Sequence, residues 1–168
     1  MANGSESPFQ IVRAGSSAQL DVAHTLFREY AATLETGICL VGFERELTVL
    51  PEMYGAPDGA LLLAISGLDG RAFGCAGIRR LDPGRAELKR LYVQPQMRKL
   101  GAGRALTVAA LEGAKALGYS QLVLDTLDHM APAQALYVSL GFVECGKFQS
   151  GSAADADDSA LRYFSRVL

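Results

Sequence analysis

The chain is short of cysteine, of histidine and of any excess of one charge, and each shortage removes a class of chemistry. Its three cysteines, Cys39, Cys75 and Cys145, stand far apart among 168 residues, with no CxxC pair or Cys/His cluster to supply soft ligands for a metal. They read as partly buried thiols of a reducing compartment. The net charge is −2 and no basic run exceeds two adjacent residues. That argues against general nucleic-acid binding, which draws its affinity from neutralised phosphates. No segment approaches the roughly 18 apolar residues of a membrane span. The opening MANGSESPF has neither the basic start nor the apolar run of a secretory signal. What is present, 49% hydrophobic and 20% charged residues, fits a single cytoplasmic domain over residues 1–168 with a core that needs no disulfide or metal.

Periodicity and turn residues give the order of elements. The first eight residues are small and polar and are expected to fray. Phe9 to Arg13 reads as a strand. Ser16 or Ser17 can cap the helix that follows, whose apolar stripe is Leu20, Ala23, Phe27, Ala31 and Leu34, with Gly37 as its stop. Phe43, Leu47 and Leu50 share one face of a further helical turn or two, expected to end at Pro51. Ala60 to Ser66 and Ala72 to Arg79 flank the tight turn Leu68-Asp69-Gly70, a strong hairpin signal. Ala86 to Val93 continues the meander after Asp82-Pro83-Gly84. Arg104 to Leu117 is an Ala/Leu helix closed by Gly118. Gln121 to Leu124 is an apolar strand of the central, parallel kind. A short helix spans 131 to 140, Phe142 begins another strand, residues 151 to 160 form a flexible acidic loop, and Leu161 to Val167 closes the chain.

This order predicts an α/β fold: a mixed, mostly antiparallel sheet with helices on both faces. A doubly wound parallel sheet is disfavoured by the two middle turns, which are shorter than the dozen or so residues a crossover needs.

One segment carries chemistry. After a strand ending in Leu91, Tyr92 and Val93 come Pro95 and then Arg98-Lys99-Leu100-Gly101-Ala102-Gly103-Arg104, at the start of a helix. Free N–H groups of a first helical turn converge on an anion, and glycine lets a phosphate approach the backbone. Arg98, Lys99 and Arg104 add positive charge. No Gly-Lys-Ser/Thr follows, so this is not a Walker loop. With two glycines and a meander before it, it is also a poor dinucleotide fingerprint, although Asp125 falls near the place of a ribose-binding acid. By itself the segment also reads as a plain strand-to-helix turn.

Together with Tyr92-Val93-x-Pro95, the run Arg98-x-x-Gly101-x-Gly103 resembles the pyrophosphate loop of the Gcn5-related N-acetyltransferase (GNAT) superfamily. The resemblance extends through the order of elements from about Phe9 to Val167. A second family feature, Leu136-Tyr137 followed by Gly141-Phe142, lies at the right distance. Lys99 stands where the family often has glycine, so the match is to the looser form of the motif. The resemblance implies transfer of an acetyl group from acetyl-CoA to a primary amine of a small molecule, by direct attack in a ternary complex. It further implies a V-shaped splay between the strand ending at Val93 and the strand at 121 to 124. The pantetheine arm would pair with the backbone of Leu91 and Val93 there. The diphosphate would rest on the N–H groups of residues 98 to 103, with Arg104 in reach.

The resemblance also assigns roles. Tyr137 would protonate the departing thiolate; from the residues alone it is an amphipathic tyrosine beside Leu136 and Leu140. Glu87 matches a general-base position, and its other reading is a structural pair with Lys89. Strict alternation puts Glu87, Lys89, Leu91 and Val93 on one face of their strand and Leu88, Arg90 and Tyr92 on the other. Asp125 and Thr126, after the central strand, are placed to hold cofactor or acceptor. Arg79 and Arg80 either meet a substrate carboxylate or are solvated. His129 reads as exposed and His24 as structural. No metal, nucleic acid or membrane is expected, and the oligomeric state is monomer or homodimer. Two other readings keep the fold: acetylation of a peptide or protein amine, and a non-catalytic sensor of acyl-CoA.

Overall fold

The computed structural model describes residues 7–34, 40, 42–148 and 159–168. Residues 1–6, the Gly37 helix stop, Cys39 and most of the acidic loop lie outside them. The elements are β1 (Phe9–Arg13), α1 (Ser17–Ala32), α2 (Phe43–Thr48), α3 (Leu50–Tyr54), β2 (Ala60–Ser66), β3 (Ala72–Arg80), β4 (Arg85–Val93), α4 (Ala102–Ala116), β5 (Gln121–Leu127), α5 (Ala131–Ser139), β6 (Val143–Cys145) and β7 (Leu161–Val167).

One seven-stranded sheet runs β1-β2-β3-β4-β5-β7-β6. Every neighbouring pair is antiparallel except β4 and β5, the pair bridged by α4. Helices cover both faces. On one, Leu106, Ala110 and Ala114 of α4 and Tyr137 of α5 pack on Leu62, Ile78, Leu88, Leu122 and Leu124. On the other, Ala23, Leu26 and Phe27 of α1 join Phe43, Leu47, Leu50 and Tyr54 over Leu61, Leu63, Cys75 and Tyr92. Ser16 caps α1 through a reciprocal box: its hydroxyl accepts from the Gln19 N–H, and the Gln19 side chain accepts from the Ser16 N–H.

Two expectations about local structure fail for identifiable reasons. Pro51 does not end a helix. It sits in the first turn of α3, where no N–H is needed and its fixed φ suits a helix start. The alternation along β4 breaks at Arg90, whose φ is +58°. Gly77 pairs with Lys89 but Cys75 pairs with Tyr92, so β4 holds one residue more than β3 over this stretch. The bulge reverses the faces beyond it. Leu88, Leu91 and Val93 join the α4 side, while Tyr92 joins the α1 side.

The bulge also marks where the sheet opens. β4 and β5 pair at Arg85–Gln121, Ala86–Leu122 and Glu87–Val123. Beyond that point β4 continues to Val93 and β5 to Leu127, yet no further pairs form between them. β5 is longer than expected, because Asp125, Thr126 and Leu127 all pair with β7.

Candidate active site

The gap between the two strands is a cleft of about 660 Å³. Its walls are residues 88–93 of β4, residues 125–127 of β5, the α4 entry and one flank of α5, and Tyr30 of α1 and its C-cap Thr33 border one side.

At the α4 end the cleft is lined by a loop with open backbone donors. Pro95–Met97 forms one 3-10 turn, then Lys99 and Gly101 both adopt left-handed backbone, at φ +70° and +85°. Gly101 is the N-cap of α4, which begins at Ala102, two residues earlier than periodicity suggests. It has no side chain to cap the helix. The N–H groups from Lys99 to Arg104 consequently donate to no described residue. A Cβ at Gly103 would lie 3.8 Å from Leu136 and 4.0 Å from Val93, so its absence keeps the cleft wall open. Lys99, Gly101, Ala102, Gly103 and Arg104 line the cleft, whereas Leu100 is exposed and does not. Arg98 lines it too but turns back, its Nε donating to the Val93 carbonyl at 3.1 Å. Arg104 donates to Ser139 Oγ at 3.0 Å and ties α4 to α5.

Deeper in, Tyr137 lines the cleft from α5, buried against the rings of Phe142 and Phe164. Its hydroxyl bonds to no described residue. Burial first, then the negative charge of neighbouring groups including Asp125, pushes the phenol well above its usual range, so it stays protonated.

Facing it from β5 is Asp125, whose carboxylate is the only one among the described residues lining the cleft. Lys89 Nζ lies 3.5 Å from Asp125 and 3.5 Å from Glu87. Both separations exceed the roughly 2.7–2.9 Å of a tight charge-assisted bond. The ammonium is therefore shared, and Asp125 keeps capacity to accept.

Glu87 stands one side chain behind the wall. It is fully buried and does not line the cleft, with Arg79 Nε and Nη2 at 2.8 and 2.7 Å from its Oε2. Burial works against the Arg79 charge, but Glu87, Tyr54 and Glu46 together outweigh it and the arginine's pKa is raised. Of the two readings of Arg79 and Arg80, substrate contact or solvation, the geometry does not favour the first: neither residue lines the cleft, Arg79 is held by Glu87, and Arg80 pairs with Asp58 at the surface, 3.5 Å away. Both precede the splay, where β3 and β4 are still fully paired. His129 is exposed beside Asp128, and His24 on α1 lies outside the cleft.

Sequence reasoning missed a second buried group on the α1 side. Glu46 of α2 accepts from Arg90 Nε at 3.0 Å, Arg90 Nη2 at 2.6 Å and the Tyr54 hydroxyl at 2.6 Å. The signal was available: Glu46 falls three residues after Phe43 on the apolar face of its helix. Arg90 was not recoverable, because the bulge that aims it leaves no mark in the pattern.

The sequence model described as the acetyltransferase (GNAT) family matches residues 25–142, a span that holds the loop at 98–104, the splay and Tyr137. The chain belongs to the GNAT acetyltransferase family. It is an acetyl-CoA-dependent N-acetyltransferase by class. An uncharacterized N-acetyltransferase of Schizosaccharomyces pombe is 38% identical over 124 residues, 73% of this chain and 76% of that protein. An acetyltransferase structure from Streptococcus agalactiae superposes with a TM-score of 0.75 at 18% identity, covering 97% of this chain and all of that one. YncA from Salmonella typhimurium, solved with acetyl-CoA, gives 0.67 at 18% identity over 95% of this chain and 94% of its own. These likenesses establish the GNAT fold for this enzyme. No helix among the described residues is long and apolar enough to cross a membrane.

Proposed function

We propose that this GNAT enzyme acetylates the primary amine of a small molecule, with donor and acceptor meeting in the splay between β4 and β5. The observation that carries this reading is one cleft with open backbone donors at one end and, deeper in, a protonated phenol and the one carboxylate that lines it among the described residues. The site fits acetyl-CoA in kind. The unpartnered N–H groups of residues 99–104, with Lys99 and Arg104, suit a diphosphate. The β4 backbone beyond Glu87 is unpaired toward β5 and suits an extended arm. When bound, acetyl-CoA supplies an activated thioester. Arg98, already engaged with Val93, shapes the rim.

The acceptor's difficulty is its proton. An alkyl ammonium with a pKa of about 10.4 is roughly one part in 2,500 neutral at pH 7, a handicap of about 4.6 kcal/mol. In our reading Asp125 seats the ammonium and helps draw off its proton, while Lys89 shifts toward Glu87. Glu87 thereby serves the site by holding Lys89 and not by touching the amine. Tyr137 holds the proton that the departing sulfur takes. A cleft of this size, flanked by α1, suits a compact acceptor.

A panel of amino acids, polyamines, aminoglycosides and short peptides, read by release of free thiol from acetyl-CoA, tests the acceptor class. Turnover of a small primary amine is the expected result. Turnover confined to peptides would overturn it.

A further inference from the structure

We propose that the Glu46–Arg90 ion pair is a strut that holds the β4 bulge in shape, making Glu46 on α2 a positioning residue for a cofactor it does not touch. The inference rests on the reading of the cleft as the acetyl-CoA site. Arg90 is at φ +58°, in a region that disfavours any side chain other than glycine's absence of one. Such a conformation persists only where its surroundings over-determine it.

Here they do. The Arg90 guanidinium is gripped through two nitrogens by Glu46, and the two side chains are 2% and 4% exposed. The Phe43 and Tyr30 rings lie 5.2 and 5.9 Å from its centre, one from α2 and one from α1. Tyr54 adds a hydrogen bond to Glu46, and its ring occupies the space a side chain at Gly77 would need, directly across the sheet from the bulge.

The bulge has a functional address. It lies just past the last pair between β4 and β5, and it sets which backbone groups of residues 91–93 face the cleft. No residue of α2 lines that cleft. A helix on one face of the sheet therefore fixes the edge that the cofactor meets. By linkage, filling the cleft must also steady α2.

Two experiments test this, both reading binding and not turnover. In the wild-type protein, saturating coenzyme A should slow amide hydrogen exchange severalfold in residues 43–48 as well as in residues 99–104. Protection of 99–104 without protection of 43–48 would overturn the strut while leaving the cofactor site standing. Protection of neither would overturn the cofactor site itself, and the strut with it. The second experiment compares acetyl-CoA affinity by calorimetry in two double variants, Glu46→Gln/Arg90→Gly and Glu46→Gln/Arg90→Ala. Both lack the strut, but glycine adopts the left-handed backbone unaided. The glycine protein should bind within about threefold of wild type and the alanine protein about tenfold more weakly, matching the cost of a left-handed side chain. Equal affinities would overturn the proposal. Should the alanine protein not fold, the exchange result alone decides.

Discussion

Tyr137 is held apart from water by the rings of Phe142 and Phe164, and its hydroxyl meets the cleft as an undissociated acid. Tyr137→Phe keeps those ring contacts and removes the donor. It should leave acetyl-CoA affinity and thermal stability near wild type while lowering kcat about 10²-fold, the low end for loss of a general acid. The effect is bounded because a thiolate, with a pKa of about 8.5, already leaves tolerably. The raised phenol pKa adds a sign. Ionisation of Tyr137 should cause no fall in rate between pH 7 and about 10, the range in which an ordinary phenol begins to lose its proton. Asp125→Asn tests the other wall. Removing the cleft carboxylate should raise KM for the amine about tenfold or more and leave the Kd for acetyl-CoA unchanged, as expected for a lost charge-assisted contact. A rise in the acetyl-CoA Kd instead would assign Asp125 to the donor.

At the scale of elements, the loop from Arg98 to Arg104 works through its backbone, so its test is to add what glycine omits. Nothing lies within 4 Å of a Cβ at Gly101, but the φ of +85° strains any side chain there. Gly101→Glu should weaken acetyl-CoA binding by at least tenfold, through carboxylate–diphosphate repulsion, while S-acetylpantetheine, which has no diphosphate, binds almost as before. Equal losses for both ligands would mean the loop had simply distorted. This loop was legible in the sequence because glycines, basic residues and a helix start coincide within a few positions. So were the β2–β3 hairpin, with its Asp-Gly turn, and Tyr137 beside Gly141-Phe142. What was not legible came from pairing between distant segments. The bulge at Arg90 depends on register against β3, and it inverted the faces of Leu91 and Val93. The extension of β5 through Asp125 depends on β7, which arrives more than thirty residues later. The partner of Arg79 was not legible either, because Glu87 meets it across the β3–β4 pairing.

Across the molecule five charged side chains are buried among the described residues, Glu46 with Arg90 and Glu87 with Arg79 and Lys89, and the first of these groups bears on its response to acid. Burial opposes the Glu46 charge, but the bonds and charge of Arg90, with the Tyr54 hydroxyl, outweigh it and hold the carboxyl below its ordinary 4.5. A carboxylate depressed on folding stabilises the native state above its unfolded pKa and loses that contribution as pH falls through the folded value. The urea midpoint of wild type should therefore exceed that of Glu46→Gln/Arg90→Gly at pH 7, and the difference should narrow below about pH 4.5. A constant difference down to pH 3 would show that the pair adds nothing through its charge.

The splay has a mechanical consequence as well. With contact between β4 and β5 limited to their first few residues, the sheet is two leaves, β1 to β4 and β5 to β7, stitched at one end like a book at its spine. A ligand laid between the open leaves replaces the missing rungs. It also resists their parting over the length that the stitching leaves free. In the proposed placement the donor is a temporary structural member. On the proposed placement of acetyl-CoA, the enzyme is expected to be stiffest when loaded for reaction and loosest just after coenzyme A departs, each turnover carrying the fold through one cycle of fastening and release.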